Sequence, residues 1–149
     1  MARRFPLEMV RQVARQRTED AQRALEVQAA RLRQAESKLA DLARFREEYR
    51  TTRLDAAARG IEAGRLREYG AFILRLEEAV ESQRLDVERT RATWSMAHAH
   101  WLELRSREQA FDKLAERHAA AEQLREARQD QKAQDEYARR RAGAMKSDA

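Results

Sequence analysis

Three histidines are the residues of this chain best suited to acid–base or metal chemistry, and their spacing serves neither. His98 and His100 are two apart, which on a helix turns them about 200° from each other, so they cannot grip one ion. His118 stands alone beside the apolar periodicity and reads as a half-buried core residue. Carboxylates are plentiful, but they alternate with arginines, as in Glu19–Arg23 and Glu103–Arg107, which is the i,i+4 ion pairing of a solvated helix face. Cysteine is absent, which removes disulfides and thiol nucleophiles and fits a reducing compartment. The four glycines are scattered, so no phosphate-cradling loop exists. Trp94 and Trp101 lie seven apart, the spacing of core knobs rather than of a ligand box. The expectation is a protein that is not an enzyme and holds no metal or cofactor.

The elements carrying these residues are long helices. Of 149 residues 38% are charged, with a single proline and only four glycines, so the chain has few breakers and many good helix formers. No stretch approaches the roughly 20 apolar residues of a membrane span, so no membrane insertion is expected. Met1-Ala2-Arg3-Arg4-Phe5-Pro6 lacks the apolar region of a secretory signal, and the expected location is the cytoplasm. The net charge of +5 comes from interleaved Arg and Glu, without the stacking aromatics or reading motif that nucleic acid binding requires. Its densest basic cluster, Arg139-Arg140-Arg141, therefore reads as solvated surface facing acidic protein partners, and no nucleic acid is expected.

From Leu66 to Phe111 the spacing alternates three and four: Leu66, Tyr69, Ile73, Leu76, Val80, Gln83, Val87, Thr90, Trp94, Ala97, Trp101, Leu104, Glu108, Phe111. That heptad beat gives a narrow apolar seam that has to wind against another helix. A partner exists upstream in Leu25, Gln28, Leu32, Ala35, Leu39, Leu42, Arg46 and Tyr49, preceded by a weaker set in a neighbouring phase, Leu7, Val10, Ala14, Ala21 and Ala24. Between the two, residues 55–65 lose phase and contain Gly60 and Gly64, which places a turn there. The predicted fold is all-α: a long antiparallel two-helix coiled-coil hairpin forming one domain over residues 1–149. Helix one is expected over about 6–55, helix two over about 66–140, and a disordered tail over about 141–149. Folding about residue 61 sets Leu7 opposite roughly residue 115, so about 20–25 residues of the second helix should overhang.

Beside the seam lies a surplus of apolar residues. Phe45, Phe72 and Ala79 fall at flanking g positions, so Leu42, Phe45, Tyr49, Phe72, Leu76 and Ala79 could form one patch near the turn. Two readings of the pattern stand: a core widened where the hairpin closes, or a docking face on a charged surface.

These residues resemble the FliJ family of the flagellar type III export apparatus. The resemblance rests on Glu48-Tyr49-Arg50, on Tyr69-x-x-Phe72-Ile73-x-x-Leu76-Glu77-x-Ala79, on Trp101, and on Glu126-x-Arg128-x-Asp130-Gln131-Lys132-x-x-Asp135-Glu136. It implies a cytoplasmic stalk, peripheral at the inner-membrane export apparatus, whose open end binds the centre of the hexameric export ATPase and promotes its assembly and activity. By position that contact falls on the unpartnered segment of about 115–141, with Arg125, Arg128, Asp130, Gln131, Lys132, Asp135 and Glu136. The resemblance also implies docking to the cytoplasmic domain of the membrane export gate through Leu42, Phe45, Tyr49, Phe72, Leu76, Ala79 and Gln83. The ATPase regulator or stator protein and export chaperones, which the family is described as escorting, complete the implied partners. Family members often carry an amide at Lys38, a tyrosine at Phe45 and a histidine at Gln83, so the apolar centre of the gate face is kept here while its polar rim differs.

The alternatives are the related stalk of a virulence-type injectisome and a dimeric coiled-coil scaffold whose overhang pairs with a second chain. Light scattering at dilute concentration separates hairpin from scaffold: the hairpin is expected at 17.4 kDa and the scaffold at twice that mass.

Overall fold

The computed structural model describes residues 3–147. Two helices pack against each other as an all-α hairpin, α1 at Glu8–Ala58 and α2 at Ala63–Ser147. The chain enters α1 through a turn at Pro6–Leu7, where the Glu8 amide donates to the Phe5 carbonyl (3.1 Å) and the Arg11 amide to that of Leu7 (2.9 Å). Proline suits this place because its missing N–H would be unpaired at a helix start.

Residues 59–62 join the helices, and Gly60 decides how. Its φ of +80° places it in the left-handed region. The Gly60 amide donates to Ala57 O (3.2 Å) and the Ile61 amide to Ala56 O (3.4 Å), the paired 5→2 and 6→1 bonds of a Schellman cap. Ile61 and Ala56, half-buried on a shared groove, supply the apolar contact that accompanies such a cap. Gly64, the second glycine of the expected turn, lies inside α2.

The chain divides into two compact units, one of Asp20–Leu102 and the other of the residues through Glu19 together with those from Glu103 onward. In the first unit Ala21, Ala35, Ile73, Gln83 and Val87 are buried. Leu25, Gln28, Leu32, Leu39, Leu42 and Arg46 from α1 are half-buried, as are Leu66, Tyr69, Leu76, Val80, Thr90, Trp94, Ala97 and Trp101 from α2. In the second unit the inward positions are Phe5, Glu8, Arg11, Ala14 and Thr18, with Leu104, Glu108, Phe111, Ala115, His118, Glu122 and Glu126 on α2. Every one of the fourteen α2 positions picked out by the heptad beat is thus buried or half-buried.

Three details differ from the sequence reading. Leu7 and Val10 are exposed (40% and 45%), as is Ala24, whereas Arg11 and Thr18 face inward. Counting back by heptads from Leu25 reaches Thr18 and Arg11, so α1 keeps one phase from Arg11 to Arg46; these two early seam positions are polar, like Gln28 and Arg46 further on, and escape an apolar count. Second, α2 is helical to Ser147, past the tail expected from about 141. Gly143 is accommodated there among Ala, Arg and Met, a cost of ~1 kcal/mol relative to alanine that good helix formers can absorb. The remainder of that expectation, at 148–149, lies outside the described residues. Third, the overhang starts after Glu126 rather than at about 115, because Arg3–Leu7 extend the cover of α2 beyond the helical part of α1.

The cap makes a paired prediction. Gly60→Ala forces an L side chain into the left-handed region and is expected to destabilise by about 1–2 kcal/mol. Gly64→Ala, in a helix with open space at the Cβ position, should stabilise by about 0.5–1 kcal/mol. Urea denaturation of the two variants measures both signs.

Candidate docking faces

The first face lies in the Asp20–Leu102 unit. Phe45, Tyr49 and Phe72 are exposed (43%, 37% and 39%), while Leu42, Leu76 and Ala79 are half-buried beside them. Tyr49 and Phe72 meet across the two helices with ring centroids 4.6 Å apart and planes at 57°, a tilted pair worth roughly 0.5–1.5 kcal/mol beyond its area. Both rings also edge a groove of about 350 Å³ at the turn, shared with Ala56, Ile61, Arg65, Glu68 and Tyr69. Arg44 sits 5.5 Å over the Phe45 ring, so a cation already covers one side of that aromatic.

Charge frames the apolar centre. Arg50 bonds Glu77 across the helices at 2.6 Å and Glu47 on its own helix at 2.8 Å. The hydrogen bond to Glu77 outweighs partial desolvation and raises the Arg50 guanidinium above its ordinary value. These are exposed pairs, so their effect is orientation more than stability.

Gln83 does not belong to this exposed face. It is buried (7%), and its Nε2 donates to the Ala35 carbonyl at 3.0 Å. The alanine leaves room for the amide to reach a backbone oxygen that the helix already uses, and a polar group so placed fixes the alignment of the two helices. The heptad count had put Gln83 in the seam, and the structure keeps it there.

The second face lies in the other unit, at the far end of α2. All residues from Ala127 to Ser147 are exposed on a continuous helix, and with them Arg125, Arg128, Asp130, Gln131, Lys132, Asp135 and Glu136. Twenty-one residues span about 30 Å at 1.5 Å each. Arg125 pairs with Glu122 at 3.5 Å, Gln131 donates to Asp135 at 3.2 Å, and Arg125, Arg128 and Lys132 border a shallow groove with Ala121, Leu124 and Gln129.

Just inside this end the seam turns polar. Arg11 bonds Asp112 at 2.8 Å, which raises the guanidinium above its ordinary value, and Arg15 lies 3.7 Å from Glu108. Phe5 packs on His118 with centroids 5.6 Å apart, and the Arg3 amide donates to Glu122 at 3.4 Å. Glu122 also faces His118 at 3.9 Å. Sequence reasoning missed this cluster because it began the helix pairing at Leu7 and weighed the residues before Pro6 only as a secretory signal. The signal available was Phe5, a large apolar side chain one residue before the helix-starting proline.

Elsewhere the histidines play packing parts. His98 stacks on Trp94 (5.1 Å, 18°) and tilts toward Trp101 (6.1 Å), while His100 is exposed. Among the described residues no three His, Cys, Asp or Glu side chains are grouped to hold a metal, and no helix is long and apolar enough to cross a membrane.

A family model described as flagellar FliJ protein matches residues 3–147, which is the full described chain. The chain belongs to the FliJ family. It is 35% identical over 142 residues to the flagellar FliJ protein of Salmonella typhi, covering 95% of this chain and 97% of that one. The flagellar FliJ protein of Escherichia coli K12 is 34% identical over 142 residues with the same coverage. Such near-complete coverage carries the FliJ assignment through both helices, the turn and the exposed end of α2.

The two readings of the aromatic patch predict different stabilities for Phe72→Ala. A half-exposed ring should cost about 1–2 kcal/mol in urea denaturation, against about 3–5 kcal/mol for a fully enclosed one.

Proposed function

We propose that this protein is a non-enzymatic stalk of the flagellar type III export apparatus, working in the cytoplasm at the inner-membrane export machinery. Family membership over residues 3–147 supports the flagellar export assignment. The observation that carries the mechanical reading is the helical end of α2 from Ala127 to Ser147, exposed throughout beside a polar seam. An end of this kind is suited to entering a ring. The proposed contact with the centre of the hexameric export ATPase uses Arg125, Arg128, Asp130, Gln131, Lys132, Asp135 and Glu136, and promotes ring assembly and activity.

The aromatic face supplies the second partner. Leu42, Phe45, Tyr49, Phe72, Leu76 and Ala79 form the proposed docking surface for the cytoplasmic domain of the membrane export gate. Gln83 acts behind it by fixing helix alignment. Exposed aromatics concentrated at one place on a charged surface are where binding energy gathers. One partner at each face couples the ATPase to the gate. The ATPase regulator protein and export chaperones belong to the same proposed set of partners.

The test is ATP hydrolysis by the cognate export ATPase, titrated with the full chain and with a chain ending at Glu126, which keeps every inward-facing residue. Stimulation by the full chain that is lost on truncation is the expected result. Equal stimulation by both, or none by either, removes the ATPase end of the proposal.

A further inference from the structure

The exposed end closes on a run of basic residues free of acidic ones. Residues 137–147 hold four of the chain's 31 basic residues and none of its 26 acidic ones, so everything else carries a net charge of only +1. Several arginines elsewhere lie against carboxylates of their own helix, as Arg44 does on Asp41, Arg84 on Glu81 and Glu88, and Arg107 on Glu103. Arg128, Lys132, Arg139 and Lys146 have no such partner among the described residues.

Their spacing makes a stripe. Arg125, Lys132, Arg139 and Lys146 recur every seven residues, and Arg128 sits on the same side. At about 100° per residue all five fall within about 60° of one another along about 30 Å of helix. Asp130 lies on the far side, Asp135 and Glu136 border the stripe, and Asp135 is held by Gln131 (3.2 Å). The groove bordered by Arg125, Arg128 and Lys132 also contains Ala121 and Leu124, so the stripe has a small apolar foothold.

We infer that this stripe is an electrostatic docking rail for an acidic protein surface, extending the proposed ATPase contact to Arg139 and Lys146. The inference rests on the stalk reading and deepens it: the lining of the ring that receives this end must present carboxylates along one wall. A bilayer is a poorer fit, because Tyr137 and Met145, the large apolar residues of the last three turns, have Arg141 between them on one helix face. Nucleic acid is poorer still, with Tyr137 as the single aromatic ring of the overhang and no second platform for base stacking. Unpartnered cations raise the rate of encounter more than they slow release.

The experiment is stopped-flow association with the cognate export ATPase across a salt series. It compares the full chain with Lys132→Gln/Arg139→Gln/Lys146→Gln and with Arg31→Gln/Arg33→Gln/Arg89→Gln, a control of equal charge change at exposed positions elsewhere. Glutamine keeps helix propensity, and circular dichroism checks the fold. The stripe variant is expected to associate at least tenfold more slowly at low salt, with a flattened salt dependence and a dissociation rate changed less than threefold. The control should follow the unaltered chain. Equal slowing by both variants, or none by the stripe variant, overturns the rail and leaves the stalk standing. Failure of the unaltered chain to bind at any salt overturns both. Capture of the unaltered chain, but not the stripe variant, by phosphatidylglycerol vesicles while ATPase association is unchanged overturns the rail in favour of a lipid surface.

Discussion

Two helices can cover only one stripe of each other, and this geometric limit governs the structure. Among the described residues no side chain is completely enclosed; even Ile73 and Val87 keep 6% of their surface. Stability has to accumulate along the seam from many partly covered side chains rather than from a central core. A long repetitive seam raises a second difficulty, since a slide of one heptad leaves apolar matched with apolar. The Gln83 amide on the Ala35 carbonyl answers it with a bond available in one alignment. Glu36–Arg91 at 2.9 Å and Arg50–Glu77 at 2.6 Å agree with that alignment from the flanks.

The same limit leaves surfaces open. Phe45 and Phe72 at g positions lie where the partner helix cannot cover them, and Tyr49, the last expected seam position of α1, is exposed as well and meets Phe72 only in part. A globular protein would fold another layer over such a patch; a hairpin has none to offer. The aromatic face is therefore a consequence of putting Phe45 and Phe72 beside a two-helix seam and Tyr49 at the end of it. Arg44 over Phe45 and the Arg50–Glu77 bridge dress it with polar groups that keep the apolar surface from spreading.

The other unit reverses the balance of apolar and polar. Arg11–Asp112, Arg15–Glu108 and the Glu122 contacts occupy places that Ile73 and Val87 fill in the first unit. Polar contacts of this exposure add little net stability, so the helices here hold each other lightly. Light self-association next to an uncovered helix suits a segment that exchanges its own contacts for those of a partner. The acidic Glu122, drawing on the Arg3 amide, His118 and Arg125, gathers the N-terminal segment at the point where α2 goes on alone.

The sequence by itself determined the helical class, the seam of α2 and the place of the turn. Each depends on local periodicity or on a glycine able to take a positive φ, and both act within a few residues. The all-α hairpin and the fourteen inward α2 positions were legible for that reason. The early α1 seam was not, because Arg11 and Thr18 face inward without being apolar, and only packing tells a polar seam residue from a surface one. Nor was the true start of the overhang, which depends on where Phe5 comes to rest against His118, more than a hundred residues away in sequence. Tertiary structure also set the exposure of the aromatic patch, leaving Phe45, Tyr49 and Phe72 partly open and taking Gln83 inside. Exposure is a property of what lies opposite, and periodicity names the face of a helix without naming its neighbour.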